Sequence, residues 1–352
     1  EVGMKGVVFL GDRKLELRDF PDPTPGPRDV VIEIKASGMC GSDLHVYRAA
    51  FKPGDTQSGF KRGSEPVIAG HEPCGVVVAL GTGVAPHEAK IGQRVMDHHY
   101  KGCGSCKHCR TGWTQMCLDG AVVFGASGNG GHAKYMLAPV TTLVPLPDAL
   151  SFETGAAISC GTGTAYGALK RSNLQGGETI AIFGQGPVGL SATQLAVAMG
   201  ARVIALDISA ERRQLAREFG AHEVIDARSN DPVAAIRDLT HGEGAHKTLD
   251  TSGAAEARAA AVRATRAWGT ACYVGERGQV TLDVSPDLLR RQITLVGSWT
   301  FSTQGQADCA EFVADHNIAV EKLFTHRWRL DQAEAAYRLF DTQTTGKGVI
   351  LP

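Results

Sequence analysis

The most constraining feature of this chain is a short glycine-rich turn between two segments of opposite character. Thr179 to Phe183 is an apolar run of strand length, Gly184-Gln185-Gly186-Pro187-Val188-Gly189 follows at once, and a helix-compatible stretch continues to Met199. This spacing has a physical use: Gly184 makes the turn, Gly186 lets backbone approach a pyrophosphate, and Gly189 allows helix and strand to pack closely. Pro187 and Val188 open the helix, whose unpaired N–H groups and positive dipole end favour phosphate. Asp207 stands eighteen residues after Gly189, at the end of the next apolar run, Val203 to Leu206. A carboxylate there can accept from both ribose hydroxyls and repels a 2′-phosphate. The motif alone would be only a tight strand-to-helix turn. With its acid in place it predicts a dinucleotide site for NAD, and Arg212 and Arg213 keep NADP as the alternative.

The flanking sequence extends the pattern. Ala210 to Phe219 reads as a helix with Ser209 as N-cap and Gly220 as its stop. Val224-Ile225, Thr248 to Asp250, Thr270 to Val274 and Ile293 to Val296 supply further strands. Alternation of this kind argues for a parallel sheet covered on both faces. Before about Ser151 the texture differs: Val7 to Leu10, Val30 to Ala36 and Gly75 to Leu80 are short strands, broken by the proline-rich turn Pro21 to Pro27 and a polar loop from Lys52 to Pro66. From about Ser298 the mixed character returns. The expected plan is an α/β chain in which a nucleotide domain is inserted between two parts of a β-rich domain.

Thirty-six basic residues against thirty-seven acidic ones leave a net charge of −1, so no bulk field recruits nucleic acid or an anionic membrane. No apolar run reaches the roughly 20 residues a bilayer span needs, and the first ten residues lack the layout of a secretion signal. The expectation is a soluble, cytoplasmic protein with no nucleic-acid or membrane partner.

Nine cysteines, an odd number, include four within fifteen residues. Cys103, Cys106, Cys109 and Cys117 have the spacing C-x2-C-x2-C-x7-C, which suits metal binding better than a disulfide framework. Four thiolates on a glycine-containing loop match a tetrahedral structural zinc with no open position. An iron–sulfur cluster is the competing reading, whereas a nucleic-acid zinc ribbon lacks the basic charge it would need.

Three further segments carry ligand-type residues: Cys40-Gly41-Ser42-Asp43-Leu44-His45, Gly70-His71-Glu72 and Ser159-Cys160-Gly161. Singly these read as a buried cysteine, a core histidine and a small residue at a helix start, and spacing over 121 positions cannot bring them together. Taken in order with the four-cysteine lobe and the dinucleotide turn, however, they resemble the zinc-dependent medium-chain alcohol dehydrogenase family across essentially the whole chain. The resemblance implies a Rossmann domain over residues 155–297 and a GroES-like catalytic domain over 1–154 and 298–352, with a structural zinc lobe at 99–118. It implies two zinc ions per chain, one of them catalytic and held by Cys40, His71 and Cys160, with Glu72 as an occasional ligand and Asp43 orienting His71. Zinc would acidify a substrate hydroxyl, hydride would pass to the nicotinamide, and the proton would leave through Ser42 and His45. Thr164, Val274 and Gly275 match positions bordering the nicotinamide.

Some polyol dehydrogenases of the family carry glutamate where Cys160 stands, so cysteine tilts the expectation toward alcohol dehydrogenase, a primary or secondary alcohol being converted to its aldehyde or ketone. Polyol or amino-alcohol oxidation is the alternative. A non-catalytic nucleotide-binding protein is disfavoured because every ligand and Ser42 are present. His99 falls where the family lines its pocket and would make it polar, with Trp113 and Trp299 as further pocket walls. Lys52, Lys61 and Arg62 in the long loop read as solvated. Near the C-terminus only Lys347 is available where dimeric members carry an arginine. A homodimer or homotetramer is expected.

Overall fold

The computed structural model describes residues 3–54 and 63–352. The chain divides into two compact units, one of Glu1–Gly163, Phe301–Gln343 and Lys347–Pro352, the other of Thr164–Thr300 and Thr344–Gly346.

In the second unit the apolar run Thr179–Phe183 is buried at every position, as a strand must be when helices cover both faces of its sheet. It pairs in parallel with Arg202–Asp207 on one side and Ala245–Asp250 on the other. Across the sheet the strands run Glu223–Asp226, Arg202–Asp207, Thr179–Phe183, Ala245–Asp250, Thr265–Tyr273 and Thr294–Gly297, all parallel. Counted along the chain this is the order 3-2-1-4-5-6 of a doubly wound sheet, and the direction of winding reverses beside the strand that precedes Gly184. Helix Pro187–Ala198 has proline in its first turn. Helix Ala210–Glu218 is capped by Ser209, whose Oγ accepts the N–H of Arg212, and the chain leaves it through Gly220 at φ +96°. Phe183, Ile204, Leu206, Ile225 and Ile236 pack with alanines of the covering helices, each large side chain contributing about 1.5–3 kcal/mol by leaving water. The strand expected over Thr270 to Val274 begins earlier, at Thr265, with an irregularity opposite Ala245 to Lys247, and ends one residue sooner, at Tyr273.

The first unit is built on strand Asp29–Gly38, which pairs antiparallel with Glu72–Leu80, Tyr135–Pro139 and Lys347–Leu351. Arg94–Asp97, Leu143–Pro145 and Phe324–Arg329 complete a seven-stranded sheet. Val30, Ile32, Ile34, Val77, Val95 and Met136 form one core. A second joins Val7, Phe9, Leu44 and Tyr47 to Tyr337 and Phe340, so helices Gly41–Arg48 and Ala333–Phe340 share one apolar cluster. The register sets Gly38 opposite Glu72. Two residues beyond that pair lies Cys40, and one residue before Glu72 lies His71, so strand pairing itself gathers two of the three segments that sequence distance keeps apart. Among the described residues no helix is long and apolar enough to cross a membrane.

Candidate active site

Cys40 is the N-cap of helix Gly41–Arg48, and its backbone N–H donates to Asp43 Oδ2 at 2.8 Å. The other carboxylate oxygen of Asp43 accepts from His71 Nδ1 at 2.8 Å. A carboxylate only accepts, so Nδ1 carries a proton and Nε2 is the ring nitrogen left to serve as a ligand atom. Gly70, which precedes His71, sits at φ +90°, and a Cβ there would run into His132. Glycine is therefore required for the turn that delivers His71.

Cys160 arrives on a π-helical turn, Ile158–Thr162, between helices Phe152–Ala157 and Gly163–Arg171, where a simple helix start was expected. One wide turn of this kind re-aims a side chain. It leaves Cys160 Sγ 3.8 Å from Cys40 Sγ. One ligand atom from each of Cys40, His71, Glu72 and Cys160 lies within 4.8 Å of the others. The bond from Cys160 holds the Cys40 thiol well below the usual range, while the same contact and burial push Cys160 well above it. Two thiols this close cannot both ionise unless a cation lies between them. Glu72 is fully buried, and its Oε1 has no hydrogen-bond partner. Two soft donors, one imidazole and an orphaned carboxylate oxygen suit zinc.

Sequence reasoning left Lys347 unassigned. The structure places its Nζ 2.6 Å from Glu72 Oε2, with both side chains out of solvent, and the same ammonium donates to Met39 O at 2.9 Å. Burial pushes the Glu72 carboxyl up to about 7 against the pull of Lys347. No local pattern around Gly346-Lys347-Gly348 could have revealed this, because the pairing depends on strand Lys347–Leu351 lying beside Asp29–Gly38.

Ser42 Oγ is 3.2 Å from His71 Nε2, and His45, half-buried, stands one helical turn further on. His99 is buried, its Nδ1 is 3.0 Å from the carbonyl of Ser159, and its ring centroid is 5.0 Å from that of His71. The carbonyl accepts only, so Nδ1 carries the proton and Nε2 is an acceptor. Trp113 is half-buried beside the four-cysteine lobe, whereas Trp299 belongs to the other unit. Lys52 is exposed; Lys61 and Arg62 lie outside the described residues.

In the lobe, Cys103, Cys106, Cys109 and Cys117 also bring their sulfurs within 4.8 Å of one another, and all nine cysteines are free thiols. Backbone N–H groups of Cys103, Cys106 and Cys109 point at the sulfurs of Cys117, Cys103 and Cys106, at 3.3, 3.3 and 3.5 Å. Such donors stabilise thiolate: backbone N–H groups bring Cys106 down to about 6, although burial pushes Cys109 up to about 12.

In the second unit Gly184 sits at φ +91°, and a Cβ on Gly189 would strike Gly184 O. Asp207 holds the turn: Oδ2 accepts from Gln185 N at 2.6 Å and Oδ1 from Ser209 N at 2.7 Å. Arg213 is engaged with Asp207 O and Asp226. Arg212 lies over Gly186, and its buried Nε has no hydrogen-bond partner. Thr164, Val274 and Gly275 lie in this unit, the last two just past the carboxyl end of their strand.

A doubly wound sheet with a phosphate-type turn, together with a β-rich unit carrying two ligand clusters, defines a class of oxidoreductase, the zinc-binding dehydrogenases. Comparison with known proteins agrees. The alcohol dehydrogenase GroES-like domain family matches residues 26–148, and the zinc-binding dehydrogenase family matches residues 187–316. The chain is 40% identical to the zinc-type alcohol dehydrogenase-like protein YphC of Escherichia coli (strain K12), over 99% of this chain and 98% of that protein. It is 30% identical to the sorbitol dehydrogenase of Bacillus subtilis (strain 168), covering 95% and 92%. Alcohol dehydrogenase TADH from Thermus sp. ATN1 superposes with a TM-score of 0.88 at 27% identity, covering 99% of each chain. The chain belongs to the zinc-type, medium-chain alcohol dehydrogenase family.

Proposed function

We propose that this protein is a zinc-dependent alcohol dehydrogenase that interconverts a primary or secondary alcohol and its aldehyde or ketone, with NAD as the hydride acceptor. The observation that carries the reading is the gathering of Cys40, His71, Glu72 and Cys160 ligand atoms within 4.8 Å. Cys40, His71 and Cys160 would hold the catalytic zinc, with Glu72 as the alternative ligand, and the four-cysteine lobe would hold a structural one. When bound, the catalytic ion supplies Lewis acidity that lets a substrate hydroxyl ionise near neutral pH.

The chain's own residues do the rest. Asp43 fixes the tautomer and aim of His71. Ser42 Oγ, beside His71 Nε2, takes the hydroxyl proton and gives up its own as hydride leaves the carbinol carbon for the nicotinamide. His45, one helical turn on, passes the released proton, by way of the cofactor ribose, to solvent. Gly184, Gly186, Pro187, Val188 and Gly189 would cradle the pyrophosphate at the head of helix Pro187–Ala198, and Asp207 would take the ribose hydroxyls. Thr164, Val274 and Gly275 would border the nicotinamide. In this reading the unit of Thr164–Thr300 binds the cofactor and the unit of Glu1–Gly163 with Phe301–Gln343 and Lys347–Pro352 carries the chemistry, in a cytoplasmic homodimer or homotetramer. The boundaries expected at 154/155 and 297/298 thereby move to 163/164 and 300/301.

A second substrate reading, a polyol, is favoured by His99. Its Nε2 is a buried acceptor close to His71 and is suited to a second substrate hydroxyl. One assay separates the readings: nicotinamide reduction by zinc-loaded protein with NAD and NADP in parallel, across primary, secondary, polyhydric and amino alcohols. Turnover with NAD that a chelator removes and zinc restores is expected. Silence across the panel with cofactor binding intact would contradict the reading. Asp207→Ala should cut the preference for NAD over NADP, measured as the ratio of kcat/KM values, by about tenfold, the worth of charged hydrogen bonds to the ribose. Both cofactors share the pyrophosphate, so the ratio cancels any loosening of the turn.

A further inference from the structure

The hydrogen bonds behind the candidate zinc ligands do not stop at Asp43. Tyr337 Oη, on helix Ala333–Phe340, is 3.1 Å from Asp43 Oδ2. His132 Nε2 is 2.6 Å from Tyr337 Oη, and Ser37 Oγ is 2.7 Å from His132 Nδ1. All four side chains are buried.

Chemistry fixes the direction of every link. Asp43 already accepts from His71 Nδ1–H and from the Cys40 N–H, and an ionised carboxylate cannot donate, so Tyr337 donates to it. The tyrosine oxygen then accepts His132 Nε2–H. Burial brings His132 down to about 4, so the ring is neutral. With its one proton on Nε2, Nδ1 is bare and the Ser37 hydroxyl donates to it. No member can rotate away without leaving a buried polar atom unpaired, so the chain behaves as one unit.

Its surroundings are built for packing alone. The Tyr337 ring lies 4.8 Å from Phe9 and 5.7 Å from Tyr47 between centroids, and the missing Cβ of Gly70 leaves room for His132. Phenylalanine at 337 and leucine at 132 would serve that apolar cluster equally well. The hydroxyl and the imidazole instead converge on the one carboxylate that orients His71.

We propose that Tyr337 and His132 are positioning residues for the metal centre, acting through Asp43 to hold His71 Nε2 in its ligating pose. The proposal rests on the zinc reading above. The test is competition of the zinc-loaded protein against a chelator, paired with visible absorption after cobalt substitution, and Cys160→Ala supplies the lobe-only reference. Wild type should hold two metals per chain. Y337F, which keeps the ring, should release the non-lobe metal about three- to tenfold more readily, less than the loss usual for a group touching the ligand directly. Its cobalt bands should shift, and its lobe metal should be unaffected. H132L should behave like Y337F. H132Q retains an N–H donor toward Tyr337 and should recover most of the affinity. Unchanged affinity and spectra in Y337F and H132L would overturn the proposal, as would equal losses in H132Q and H132L should Y337F fail to fold. A wild-type chain holding only the lobe metal would overturn the zinc reading itself, and that result is read before any variant is made.

Discussion

The two cysteine-bearing clusters of the first unit are assembled in opposite ways. The lobe draws its four sulfurs from Cys103 to Cys117, one continuous loop. Backbone N–H groups of the same loop point at its sulfurs, and Cys103 is exposed. The Cys40, His71, Glu72 and Cys160 cluster is collected from three segments by strand register and a π-turn. It is supported by Asp43 from the Cys40 segment and by side chains that come from further away still: Lys347, Tyr337 and His132. A loop whose own backbone N–H groups support its sulfurs can be rebuilt locally and suits a structural ion. A centre held by remote, buried side chains has each donor separately oriented, as chemistry at an open metal position demands.

The contrast can be broken by variants, taken here from the largest effect to the smallest. Cys160→Ala removes a donor from the assembled centre. Steady-state turnover should fall to background while circular dichroism stays that of the wild type, and near-normal rates would show that Cys160 binds no catalytic metal. Asp43→Asn keeps the shape but loses the charge behind His71. Chelator competition should show the second metal held about 10–100-fold more weakly, and an unchanged constant would detach Asp43 from the centre. Cys106→Ser damages the lobe instead. It should lower the midpoint of thermal unfolding by about 2 °C, the shift that one or two kcal/mol brings in a chain of this size, while leaving turnover measurable at low temperature. Turnover lost without loss of stability would make the lobe part of the chemistry. Ser105→Ala deletes a hydroxyl 3.4 Å from Cys103 Sγ at an exposed position. The backbone N–H groups of Ser105 and Cys106 also act on that sulfur, so lobe zinc affinity should fall by only about two- to threefold, the low end of the range for a single hydrogen bond.

The same contrast explains what could be read from the sequence. The lobe was legible because its cysteines are close along the chain, and the dinucleotide-type turn because strand, glycines and acid recur at fixed spacing. Ser209 as a cap and Gly220 as a stop are local signals too, and both hold. Cys40, His71 and Cys160 became a group only through resemblance, since register and the Ile158–Thr162 turn bring them together and neither is encoded by spacing. Lys347, Tyr337 and His132 carried no signal. A lysine between glycines, a tyrosine on an amphipathic helix and a histidine before a strand all have ordinary structural readings. Only the tertiary fold aims their polar atoms at Glu72 and Asp43.

The central claim is that this chain carries two metal centres of different kind, one local and one assembled. Elemental analysis of purified wild-type and Cys160→Ala protein tests it most directly. The account predicts two zinc ions per wild-type chain and one in the variant. An equal number in both proteins, whether one or two, would contradict it.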